Sequence, residues 1–89
     1  MKVIFATSAL KEYKAWEKSN PKTVDKIDKL IEDILENGLD KGLGKPEKLK
    51  HYKNPVRFSR EINKGDRLVY FSSNKMLFIV SCKGHYDDY

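Results

Sequence analysis

The 89 residues contain one cysteine, two histidines and no uninterrupted apolar run of membrane-spanning length. Each scarcity removes a class of protein. A lone Cys82 cannot close an internal disulfide, and no Cys/His spacing resembles a zinc site. A bilayer span needs about 20 consecutive apolar residues. The opening "MKVIFATSAL" carries a single Lys and only a short apolar stretch before "KEYKAWEK", too little for a signal peptide. Internal repeats and low-complexity tracts are also missing. The expectation is a reduced, cytoplasmic domain without membrane contact, metal or cofactor. Residues 1–89 make one domain with a modest core, too small to enclose a large ligand. A partner lying across an open face suits such a chain better.

Cations are plentiful, and they are unevenly placed. The net charge is +5. Residues 1–40 hold 7 Lys/Arg against 8 Asp/Glu, and residues 68–89 hold 2 against 2. Residues 41–67 hold 9 against 3, so the whole basic excess falls in that segment, which also carries His51. Clustered cations are the electrostatic footprint of a phosphate-backbone partner. A merely solvated basic loop satisfies the same count.

Hydrophobic spacing gives the architecture. Lys2 to Ala6 is a short β-prone run. Ser8 is placed to cap a helix carrying Leu10, Tyr13 and Trp16. Asn20-Pro21 reads as an N-cap followed by Pro at the first position of a second helix. Val24, Ile27, Ile31, Ile34 and Leu35 form its apolar stripe, and Gly38 its C-cap. "LDKGLGKPEKLKHYKN", residues 39–54, reads as a basic loop ordered where Leu43, Leu49 or Tyr52 tuck in. Three strands follow: "PVRFSREI", "RLVYF" and "KMLFIVSC". Tight connections are expected at Asn63–Asp66 and Ser72–Lys75. The result is an α+β domain, two N-terminal helices packed on one face of a small antiparallel sheet.

Few residues can carry chemistry. Glu47 is the only carboxylate amid Lys41, Lys45, Lys48, Lys50 and Lys53, and an ionised carboxylate is the form a general base needs. It also fits a charge-balancing surface role. Arg60 and Arg67 lie on adjacent strands. They either face an open surface, where they meet an anion, or pair across strands with Glu61 or Asp66. His85 titrates near neutrality and can give up a proton there, although a lone terminal His is ordinarily surface. Tyr86 offers a ring for base stacking and a hydroxyl to orient a phosphate. Cys82 alternates with apolar neighbours and reads as core.

Glu, Arg, His and Tyr without a metal suit the transesterification of RNA. A base takes the proton of a 2′-hydroxyl, cations stabilise the phosphoryl oxygens, and an acid protonates the departing 5′-oxygen. Two non-catalytic readings compete: a basic RNA- or ribosome-binding module, and a subunit that only binds a protein partner.

"GKPEKLK", "FSREI…DRLVYF" and "SCKGHY", in that order, resemble the YoeB/Txe branch of the RelE-like toxins, and "NPKTVDKIDKLIEDI" fits as well. The resemblance implies a microbial-RNase fold and a ribosome-dependent mRNA interferase. It would cut mRNA in the ribosomal A site and be neutralised by a YefM-like antitoxin; a homodimer is compatible with it. It places the base on Glu47, the transition-state arginine on Arg67, and the acid and its neighbouring tyrosine on His85 and Tyr86. Lys50 and Arg60 match RNA-backbone contacts, and Lys45 and His51 complete the candidate RNA-binding set.

The sequence departs from the family pattern at Glu61, where a second Arg is usual, and at Asp66, where His is common. Gly84 replaces a larger residue, and the tail Asp87-Asp88-Tyr89 runs on. The added acids should weaken RNA affinity. In the simplest register Arg67 pairs with Val80, which would turn His85 to the opposite face. A bend or bulge near Gly84 is therefore expected.

Overall fold

The computed structural model describes residues 1–84; His85 and Tyr86, with the rest of the tail, lie outside the described residues. Strand β1 (Lys2–Phe5) leads through Ala6 into helix α1 (Thr7–Ser19). Ser8 does not cap α1, which starts two residues earlier than expected and has Ala6 as its N-cap without a side-chain bond. Helix α2 (Pro21–Asn37) begins with Pro at its first position, as the sequence indicates. Asn20 serves both helices: its N–H donates to the Trp16 carbonyl and its own carbonyl accepts from Thr23. Gly38 ends α2 at φ +101°, a conformation costly for any side-chain-bearing residue.

On α2, Thr23, Ile27, Leu30, Ile31 and Ile34 are buried, whereas Leu35 is exposed. These residues meet Ile62, Leu68, Tyr70, Leu77, Ile79 and Cys82 from the chain that follows, with Ala9 of α1. Each large aliphatic side chain withdrawn from water in this way contributes about 1.5–3 kcal/mol. Tyr13 and Trp16 pack at the margin of this core, but Leu10 is exposed.

Four further strands complete the sheet: β2 (Glu47–Lys53), β3 (Val56–Glu61), β4 (Arg67–Ser73) and β5 (Met76–Ser81). The order is β1-β5-β4-β3-β2. The α+β class and the packing of two helices on a small sheet hold. Two details differ from expectation. The sheet is mixed, because the α1–α2 crossover returns the chain so that β1 runs parallel to β5. Residues 47–53 form a strand rather than a loop, with Glu47 opposite Ser59 and Lys48 opposite Phe58. Its lysines conceal the strand in the sequence, yet charged residues are what protects an exposed sheet edge.

The β4–β5 hairpin closes at Ser73↔Met76 around Asn74 and Lys75, both at left-handed φ (51° and 61°). Arg67 therefore does not take Val80 as its partner. Tyr70 pairs with Ile79 and Val69 with Ser81, leaving Val80 as a bulge. Strand alternation puts Phe58, Arg60, Leu68 and Tyr70 toward the helices, and Arg57, Ser59, Arg67 and Phe71 on the opposite, open face.

Candidate active site

The site rests on a buried cation. Arg60 is fully buried on the helix side of β3, and all five N–H donors of its guanidinium are used. Nε donates to the Tyr70 hydroxyl at 2.9 Å. Nη1 donates to Asp33 of α2 and to the Leu43 carbonyl, and Nη2 to the carbonyls of Gly38 and Lys41. The Tyr70 hydroxyl donates in turn to the Leu39 carbonyl, and Asp33 also accepts the Leu43 N–H. Residues 38–43 are thus wrapped around one guanidinium, carbonyls inward. The expectation that Arg60 contacts RNA backbone is overturned: it has neither exposure nor a spare donor. Nor does Leu43 order the loop by tucking in, since its side chain is exposed.

This network perturbs its members. Hydrogen bonding from Arg60, then from the Leu43 N–H, holds the Asp33 carboxyl below its ordinary range. Burial raises the Tyr70 phenol. Gly42 passes so close to Asp33 that a Cβ would stand 1.9 Å from Oδ2, and its φ is +115°. Only glycine fits there.

Beyond the wrapped segment the Gly44 carbonyl accepts the Glu61 N–H, anchoring the chain just before Glu47 enters β2. On the open face Arg67 is held by Ser59, its Nε donating to Oγ at 2.9 Å. Its Nη2 reaches the Lys45 carbonyl at 3.3 Å and the Glu47 carboxylate at 3.5 Å. Arg67 is mostly buried (12% exposed), and Glu47 is open to solvent at 66%. Base candidate and arginine, twenty residues apart in sequence, therefore stand side by side. Neither Arg60 nor Arg67 takes Glu61 or Asp66 as its ion-pair partner.

The chain leading to His85 is held from two sides. From α1, Glu12 accepts the Cys82 N–H at 2.9 Å and the Trp16 indole donates to the Cys82 carbonyl at 2.9 Å. From β4, Arg67 N–H donates to the Gly84 carbonyl at 3.0 Å, and Asp66 Oδ1 accepts the Gly84 N–H at 2.8 Å. Gly84 has φ +97°, so the backbone does turn there, in addition to the bulge at Val80. Cys82 is core, as expected; burial, then the nearby Glu12 and Asp66 charges, push its thiol up to about 12. Lys45, Lys50 and His51 are exposed. Lys50 borders a groove of about 450 Å³ on β2 with Lys48, Leu49, Tyr52, Lys53 and Val56.

Comparison with known proteins settles the lineage. Residues 5–86 match the family described as the YoeB-like toxin of bacterial type II toxin–antitoxin systems. The chain belongs to the YoeB family. It is 36% identical over 86 residues to toxin YoeB of Escherichia coli K12, covering 97% of this chain and 100% of that protein. The same identity and coverage relate it to toxin YoeB of Streptomyces coelicolor. Among solved structures it superposes on the YoeB dimer of Staphylococcus aureus with a TM-score of 0.89 at 40% identity, covering 97% of this chain and 98% of that one. The YoeB–YefM heterotetramer of the same species gives 0.85 at 40% identity, with the same coverage. The chain is thus a toxin of the type II toxin–antitoxin class with the RelE-like fold.

Several contributors escaped the sequence reading: Asp33 and Tyr70 beneath the loop, Ser59 behind Arg67, and Glu12 and Asp66 beside the terminal segment. The signal for the first group was present. Arg60 shares strand parity with Phe58 and Ile62, and a cation on the core side of a strand must find internal acceptors.

Proposed function

We propose that the protein is a ribosome-dependent endoribonuclease that cleaves mRNA in the ribosomal A site, as a single RelE-like domain over residues 1–89. The observation that carries this reading is the Glu47–Arg67 contact on the open face, with Gly84 bonded to the Arg67 backbone. Glu47 takes the proton of the 2′-hydroxyl, and the 2′-oxygen forms a bond to the adjacent phosphorus. Arg67 donates to the phosphoryl oxygens as charge gathers there. His85 gives a proton to the 5′-oxygen as the P–O5′ bond breaks, leaving a 2′,3′-cyclic phosphate and a 5′-hydroxyl. Tyr86 orients the phosphate. Lys45, Lys50 and His51 attract the backbone of mRNA or of the ribosome, a sequence-independent and salt-sensitive term. This chain acts in the cytoplasm, is neutralised by a YefM-like antitoxin and forms homodimers, by analogy with the Staphylococcus aureus complexes.

The test is a translating extract supplied with a defined mRNA. Wild-type protein should leave a 2′,3′-cyclic or 3′-phosphate end. Glu47→Ala and His85→Ala should each lower cleavage by about 10²–10⁴-fold, the usual contribution of a general acid–base group. Intact mRNA at high toxin concentration would refute the reading. Ribosome binding without cleavage, insensitive to His85→Ala, would establish a binding module instead.

A further inference from the structure

We propose that Asp66 is a positioning residue: its carboxylate fixes the Gly84 backbone beside Arg67, the point from which the chain runs on to the proposed acid, His85. The inference rests on the endonuclease reading and deepens it.

As an acid one residue from Arg67, Asp66 ought to repel a phosphate, and on the sequence alone that is its expected effect. The geometry gives it different work. Its Oδ1 accepts the Gly84 N–H at 2.8 Å, while the Gly84 carbonyl accepts the Arg67 N–H at 3.0 Å. Adjacent residues of β4 and its lead-in thus grip both polar groups of one peptide position. The main-chain carbonyl of Asp66 also accepts the N–H groups of Ile62 and Asn63, which closes the β3–β4 connection and fixes where its side chain begins. Gly84 lies at φ +97° with open space where a Cβ would be. Its N–H and its carbonyl are both engaged by hydrogen bonds, which fix the backbone at that turn. An N–H bonded to a carboxylate is roughly twice as strong as one bonded to a neutral acceptor.

Upstream, the backbone is tied as well. Glu12 and Trp16 hold the Cys82 N–H and carbonyl, and the Ser81 hydroxyl donates to the Lys83 carbonyl. Asp66 is the last side-chain tie before residue 85 among the described residues. Gly84, which precedes the proposed acid in sequence, is therefore held by the same dipeptide, Asp66-Arg67, that supplies the proposed phosphate-binding guanidinium. A misplacement of about 1 Å between catalytic groups can cost on the order of 10²-fold in rate.

The experiment compares wild type, Asp66→Ala and Asp66→Asn. Asn keeps an Oδ1 acceptor and loses the charge; Ala loses both. Single-turnover cleavage in the extract should fall about 10²-fold for Ala and stay within roughly fivefold of wild type for Asn. The half-saturating toxin concentration should not rise for Ala, because only alignment is lost. Hydrogen exchange at the Gly84 amide, measured by NMR on the free protein, should quicken at least about tenfold for Ala and not for Asn. An Ala variant that cleaves as well as or better than wild type would show Asp66 to be only a repulsive charge and overturn the proposal. So would a Gly84 amide indifferent to the substitution. If wild type itself cleaves nothing, the endonuclease reading fails, and the exchange measurement still decides whether Asp66 holds Gly84.

Discussion

Arg60→Met separates two roles for a cation in the basic segment. Met occupies much of the Arg volume, so the cost is polar rather than a cavity. The guanidinium serves five acceptors: the Asp33 carboxylate, three loop carbonyls and the Tyr70 hydroxyl. A net hydrogen bond is worth about 0.5–1.5 kcal/mol, and one to a charged group about 1.5–3. The loop carbonyls are only partly buried and regain some water once freed. The loss therefore falls well below the sum, at about 3–5 kcal/mol, the range for breaking a buried ion pair from one side.

At roughly 0.05–0.15 kcal/mol per residue, the whole chain has about 4–13 kcal/mol of stability. Each kcal/mol lost shifts Tm by about 4–8 °C in a domain of this size. The variant should melt about 12–40 °C below wild type by circular dichroism or calorimetry. Lys50→Met, at an exposed site, should stay within about 0.5 kcal/mol of wild-type stability and weaken binding to RNA. A folded Arg60→Met protein melting within about 5 °C of wild type, with RNA affinity reduced as in Lys50→Met, would refute the buried-frame account.

Lys75 carries a left-handed φ of 61° at a hairpin position that favours glycine. Lys75→Gly should therefore raise stability by about 0.5–1 kcal/mol in a urea titration, with an unchanged m-value. Asp33 provides a pH test: because its carboxyl is held below the ordinary range by Arg60, its contribution is complete above the unfolded value near 3.8 and is lost as pH falls further. Stability measured below about pH 4 should drop more steeply in wild type than in Asp33→Asn.

The legible and illegible parts of this chain differ in kind. Alternation and helical spacing are local, so α2, its proline start, its glycine end and strands β3 to β5 could be read directly. Strand β2 could not, because an edge strand needs little apolar surface and its lysines look like those of a loop. The polarity of β1 was equally hidden, since parallel pairing depends on how a crossover returns the chain rather than on the strand itself. In the site, residue types pointed to Glu47 and Arg67 and the structure brings them together. Charge counting then erred at Arg60. A positive charge in a basic segment and one inside a loop scaffold have the same composition, and only the facing of the strand tells them apart.

The Glu47–Arg67 contact is loose, and that looseness suits the proposed chemistry. It joins one guanidinium nitrogen to one carboxylate oxygen at 3.5 Å, and Glu47 is largely exposed. An ion pair so solvated contributes at most about 1 kcal/mol. A phosphodiester arriving at Arg67 therefore gives up little when it draws the guanidinium from Glu47. The anchorage of Arg67 is unaffected, because its firmest bond is to the Ser59 hydroxyl, which carries no charge to compete for the phosphate. As the phosphate takes the arginine, the Glu47 carboxylate is left free to accept the 2′-hydroxyl proton. One movement of the guanidinium would then free the base and clamp the electrophile together. A tighter, bidentate pair would hold both groups in the resting state and have to be broken before either could act.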